Sequence, residues 1–222
     1  MFTGETFTIL DVAALGLFAV SWVGYGLIAE FKAHIPLGLT LALEAREWHW
    51  FKPVPGRAVK IFDADLVVAF MRGVTIVALA TTVLLLILFI IFADNFHVLE
   101  EGRRMTPAAR ELKTAVEIRL ALPILTLLYS YFRLAGAMQE YTSYLKVLAS
   151  AKDLSKVGIE AAYQWVDHTD STSDEGSRHF NAGLRAFFLG IAASAWPVGP
   201  VAFILAILIT LGMLYWFEFH QD

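Results

Sequence analysis

The sequence predicts an all-α integral membrane protein. The expected form is a four-helix bundle with an interfacial helix in the first loop and a cytoplasmic extension of helix three. Three observations lead there. Four long apolar runs, residues 8–28, 66–93, 118–136 and 183–217, reach the length of about 20 residues that crosses about 30 Å of hydrocarbon. The 222-residue chain is 58% hydrophobic with a mean hydropathy of +0.62, too apolar for an ordinary soluble domain and of a size for one bundle. Many aromatic residues stand at run ends (Trp22, Tyr25, Trp48, Trp50, Tyr215, Trp216, Phe217), where amphipathic rings favour the headgroup layer.

Taken in order, the first run lacks a basic segment before it and reads as a retained helix, not a signal peptide. Gly16, Gly24 and Gly26, with Ala13 and Ala14, give it small-residue faces for close helix packing or contact with another subunit. Residues 36–51 (PLGLTLALEAREWHWF) read as an amphipathic helix lying on the membrane, anchored by Trp48, Trp50 and Phe51, and KPVPG at 52–56 breaks it. The second run carries one charge, Arg72, near its start. Thr106 and Pro107 are an N-cap and a first helical residue that feed into span three, and the helical pattern continues past Arg133 to about Lys152. Only 168–179 (HTDSTSDEGSRH) reads as loop. Span four is interrupted by Pro197 and Pro200, which remove backbone donors and predict a kink or break.

Four spans put both termini on one side. Loop 29–65 carries Lys32, Arg46, Lys52, Arg57 and Lys60; loop 137–182 carries Lys146, Lys152, Lys156 and Arg178. Against these nine, the middle loop holds Arg103, Arg104, Arg110 and Lys113. The positive-inside bias therefore places loops 29–65 and 137–182 in the cytoplasm and both termini outside, in the periplasm of a bacterial inner membrane.

The composition also excludes. There is no cysteine, hence no disulfide, thiolate metal site or cysteine nucleophile. A net charge of −4 argues against nucleic acid. No phosphate-binding glycine loop, G-x-S-x-G or haem-attachment motif is present, and Glu44, Glu47 and His49 do not make a two-histidine zinc motif. His168, Asp170, Asp174, Glu175 and His179 have metal-ligand residue types, but a Ser- and Asp-rich run is read as solvated loop. No catalytic residue, metal site or cofactor is expected, and the protein is read as not an enzyme.

Segments 11–26, 62–82, 111–151 and 178–219 together resemble the domain of unknown function 599 family of bacterial and plant membrane proteins, in the same order and over nearly the whole chain. The most specific piece is His-Phe-Asn-x-Gly-Leu-Arg-x-Phe-Phe at 179–188, followed by Ala195-Trp196 and an aromatic-acidic-aromatic end near 216–219. The resemblance implies a four-helix membrane protein and no activity. The chain departs from the family in carrying Glu218, His220 and Asp222 where arginines are usual, and in a less basic first loop.

Ionisable residues inside a membrane are costly and are candidate functional groups. Towards the cytoplasm lie Glu30, Asp63, Asp65, Arg72, Arg133, Glu140 and Arg185; towards the outside lie Asp11, Glu117, Arg119 and Glu218. Tyr129, Arg133, Gly136, Glu140 and Tyr144 recur at steps of three and four, a polar face expected to point into the bundle, with Asp65 the expected partner of Arg133. His179, Asn181 and Arg185 stand at the mouth of span four. The candidate polar, lipid or ion-pair cluster is thus Asp65, Arg72, Arg133, Glu140, His179, Asn181 and Arg185. Its first reading is structural, as ion pairs that hold a bundle; its second is a path for a proton, ion or small solute, or a lipid headgroup site. The expected function is an accessory or scaffold subunit in the bilayer, packed on other membrane protein subunits or on itself. The alternative is a channel or transporter.

Overall fold

The computed structural model describes residues 8–32, 57–101, 107–150 and 159–219, with side chains over 8–26, 65, 67–94, 111, 114–146 and 175–216. Among the described residues there are five α-helices, one 3-10 turn and no strand. They are α1 (Ile9–Lys32), α2 (Arg57–Glu101), α3 (Pro107–Ser150), α4 (Ile159–Ala193), the turn Trp196–Val198 and α5 (Pro200–Phe219). Ile9–Gly26, Val67–Asp94 and Thr114–Lys146 are long and apolar enough to cross a membrane, and Pro200–Trp216 is a shorter apolar helix. The class is all-α, as expected, and Pro107 opens α3. The interfacial helix expected at 36–51 and the expected cap at Thr106 lie outside the described residues.

The apolar residues sort as a lipid solvent would have them. Ile76, Val83, Leu86, Phe89 and Ile90 of α2 are each more than half exposed, while Val74, Thr81 and Leu88 are buried at intervals of seven. A repeat of seven keeps one seam of a helix against its neighbours. Hydroxyl groups on these helices are satisfied within their own helix: Ser21, Thr75, Thr126, Thr142 and Ser194 each donate to the carbonyl four residues before, at 2.7–2.9 Å. Hydrocarbon offers no other acceptor.

The chain forms two compact units, each with its own core. The first comprises Met1–Ile35, Thr81–Ser130 and Arg185–Asp222. Its larger core joins Ala14 and Phe18 of α1 to Leu189, Ala192 and Ala193 of α4, Trp196, and Phe203 and Ile207 of α5. An aromatic series runs through it. Trp196 stacks on Phe203 (5.4 Å between centroids), Phe203 meets Phe18 (5.7 Å), Phe18 meets Trp22 (5.7 Å), and Trp22 meets Tyr129 of α3 (5.3 Å). A second cluster packs Leu88 of α2 on Leu120 and Leu127 of α3. The second unit comprises Pro36–Ala80 and Tyr131–Leu184, with a core of Val74 from α2 and Leu134, Ala137 and Tyr141 from α3, covered by Phe180 of α4.

Two expectations are corrected. Residues 168–179 are not a loop; they are helix within α4. Ser, Thr and Asp disfavour helix only weakly, and the glycine-notched packing of α4 on α3 from Gly176 onward outweighs that preference. The second concerns 183–217, expected as one interrupted span. The break is there, but the chain reverses direction at it. Asp11 of α1 meets Trp196, whereas Phe18, two turns further along α1, meets Phe203. Arg185 of α4 lies over Tyr25. Going up in number, α4 therefore passes α1 from its far end to its start, and α5 passes it back again. Within this unit Thr8 and Phe219 lie at opposite ends.

The sequence dictates the turn. Pro197 and Pro200 have no N–H to continue α4, Gly199 N–H closes onto the Trp196 carbonyl at 3.0 Å, and Pro200 is the first residue of α5. Gly199 has φ +156° and ψ 159°, a conformation open to glycine and little else.

Candidate functional site

The most developed polar site is a buried charge cluster in the first unit. Thr8 is the residue before α1 and Asp11 the third within it. In a capping box the side chain at that third position reaches back to the cap N–H, and Asp11 does so. Its Oδ2 accepts from Thr8 N–H at 2.9 Å and from Thr8 Oγ1 at 2.8 Å. Arg119 Nη2 of α3 donates to Oδ2 at 3.1 Å and lies 3.1 Å from Oδ1, and Trp196 Nε1 donates to Oδ1 at 2.8 Å. Asp11 is fully buried and Arg119 nearly so (5% exposed). Both carboxylate oxygens are thereby filled by donors from three parts of the chain: the start of α1, the N-terminal part of α3, and the α4–α5 turn. The negative group also sits in the first turn of α1, where the helix dipole favours it.

Pro123 lies one turn beyond Arg119 and is fully buried. It has no N–H to close onto the Arg119 carbonyl, so the helix backbone is loosened beside the guanidinium that must reach α1. Glu117 is half-buried, and its Oε1 has no hydrogen-bond partner among the described residues.

Of the cluster expected from sequence, Asp65, Arg72, Arg133, Glu140, His179 and Asn181 fall in the second unit and Arg185 in the first. Asp65 and Arg72 of α2 are exposed. Arg133, Glu140, His179 and Asn181 are half-buried in the second unit; Arg185 is half-buried in the first, its guanidinium carbon 5.6 Å above the Tyr25 ring. The expected Asp65–Arg133 pair is not formed; Arg119 of α3 pairs with Asp11. The polar stripe of α3 is buried at Tyr144 and borders the packed face elsewhere: Ser130, Leu134, Ala137 and Tyr141, each one position further on, are buried, and Tyr129 is 43% exposed. What the structure does bring together is His179 with Gly136. A Cβ on Gly136 would stand 2.7 Å from His179 Nδ1, so the imidazole lies against bare backbone. Among the described residues no group of three or more His, Asp or Glu is arranged to hold a metal ion.

Close packing also differs from expectation. Gly16, Gly24 and Gly26 have nothing within 4 Å of an added Cβ. The glycines that matter are on α4. In the second unit, Tyr141 and Leu134 sit in notches over Gly176 and Gly183; in the first, Leu127 sits over Gly190, 2.6 Å from where a Cβ would be. Both series, 176/183/190 and 127/134/141, step by seven. That double repeat is the signal from which the contact is readable. Trp196 was the other unforeseen participant; its signal is an indole immediately before the Pro197–Pro200 break.

The fold and site define a class first: an all-α protein whose apolar faces turn outward and whose strongest ion pair is internal. The chain belongs to the family described as protein of unknown function, DUF599, which it matches over residues 13–222. No curated protein and no solved structure matches it.

Proposed function

We propose that this chain is a non-catalytic multi-pass protein of the bacterial inner membrane, an accessory or scaffold subunit that packs on other membrane proteins or on a second copy of itself. The observation that supports this reading is the saturation of Asp11. Its two oxygens take four hydrogen bonds from Thr8, Arg119 and Trp196. A carboxylate so filled holds segments together and has no lone pair directed at a proton, ion or solute in transit. The positive-inside bias puts 29–65 and 137–182 in the cytoplasm; with the α4–α5 reversal, the N-terminus is then outside and the C-terminus inside.

The test is purification of the tagged chain at native expression in gentle detergent, followed by native mass spectrometry. Unlike subunits at fixed stoichiometry support the accessory reading and name the complex. A pure homo-oligomer with solute flux overturns it. The second reading, a channel or transporter, draws on Glu117, Arg133 and His179, each with a buried polar atom lacking a hydrogen bond among the described residues. It requires flux that Glu140→Gln or Asp65→Asn abolishes while assembly is retained.

A further inference from the structure

We propose that Arg133 and His179 form a binding site for a single oxyanion, the phosphate of a lipid headgroup or free phosphate. The proposal stands apart from the accessory reading and rests on the second unit alone. Arg133 precedes Leu134, which packs in one cluster with Val74 of α2. Val74 is seven residues inside the apolar stretch Val67–Asp94, about 10 Å in from its start at about 1.5 Å per residue. Arg133 is thus at the level of this cluster along α3, half-buried, with Nε buried and without a hydrogen bond among the described residues. No carboxylate among the described residues pairs with it; Asp65, the sequence's candidate, is exposed. Arginine keeps its proton, so a guanidinium without a partner among the described residues suits an anion.

His179 supplies the second donor. Its Nδ1 is buried against Gly136 with no hydrogen-bond partner among the described residues. The other ring nitrogen, Nε2, lies on the edge turned away from Gly136, where an N–H can donate. Gly136 is three residues from Arg133, so the imidazole lies one helical turn along α3 from the Arg133 backbone. Glycine is what allows this approach: any Cβ at 136 would drive the ring off. A planar guanidinium fork with a neighbouring N–H suits the oxygens of phosphate or carboxylate.

The experiment uses the full chain, stripped of lipid in neutral detergent, with thermal unfolding as readout. Three additions are compared: phosphatidylglycerol in the micelle, diacylglycerol in the micelle, and inorganic phosphate in the buffer. At about 100 times the dissociation constant the wild type should gain roughly 5–10 °C from phosphatidylglycerol and nothing from diacylglycerol. A gain from inorganic phosphate as well identifies a free oxyanion; a gain from the lipid alone identifies a headgroup. Arg133→Gln should abolish the gain, whereas Arg72→Gln, on the exposed face of α2, should keep it. Absence of any gain in the wild type overturns the proposal, as does a gain that survives Arg133→Gln or is lost in Arg72→Gln. Should Arg133→Gln fail to fold, His179→Phe, which keeps a ring on Gly136 and removes the donor, should weaken binding about tenfold; unchanged binding in it overturns the site.

Discussion

Asp11 shows how one residue serves two levels of structure. It caps α1 locally, and it is the anion that Arg119 and Trp196 converge upon from far along the chain. A buried pair of this kind yields little net stability against an apolar replacement, but removing one partner strands the other charge. Asp11→Asn keeps the shape and leaves the Arg119 cation uncompensated; it should destabilise by about 3–5 kcal/mol in an SDS or thermal unfolding titration. Pairing it with Arg119→Gln removes the stranded charge, so the double variant should lie closer to wild type than the sum of the two single changes. Additive losses would mean the two residues are not coupled. The presence of Asp11 and Arg119 in one membrane layer is plain from sequence. Their pairing is not, because it depends on which helices lie side by side, and the same sequence logic chose Asp65 for Arg133.

At the scale of elements, periodicity carried the reading where helices are long and apolar, and failed where composition and packing disagree. Spans one to three are evident from run length alone. The polar first half of α4 is not, since its Ser, Thr and Asp residues describe a loop while its glycines, seven apart, describe a packed helix. The two kinds of glycine make opposite predictions. At Gly190 an added Cβ would meet Leu127 at 2.6 Å, and at Gly183 it would meet Leu134 at 2.9 Å with the Leu134 backbone nitrogen at 3.2 Å, so Gly190→Ala and Gly183→Ala should each cost about 1–3 kcal/mol through overpacking. Gly16 is exposed with nothing near it, and Gly16→Ala should gain up to about 1 kcal/mol from helix propensity. Gly199→Ala has open space but meets φ +156°, so it should cost about 1–3 kcal/mol despite the absence of any clash. Midpoints of detergent unfolding rank the four variants; a harmless Gly199→Ala together with a harmful Gly16→Ala would refute both accounts.

For the whole molecule the consequence lies in the number of times the chain changes direction. Two prolines in one apolar run are legible as an interruption, but a kink and a reversal leave the same mark in a sequence, and only the neighbours tell them apart. Trp196 beside Asp11 and Phe203 beside Phe18 require a reversal. Pro200–Phe219, 20 residues and about 30 Å at 1.5 Å per residue, is a shorter apolar helix than the three candidate spans, and the prediction is that it crosses the bilayer by itself. An odd number of crossings puts the two ends of the chain on opposite sides, whereas a single kinked span would put them together. The chain contains no cysteine, so single cysteines introduced at residues 3 and 221 report without background. In intact cells an impermeant maleimide should label Cys at position 3 and not at 221, and permeabilisation should expose the second. The α4–α5 turn gives an internal check: Ser194→Cys should label from the same side as position 3. Equal labelling of both ends in intact cells would return 183–217 to one span, and with it the sidedness first read from the loops.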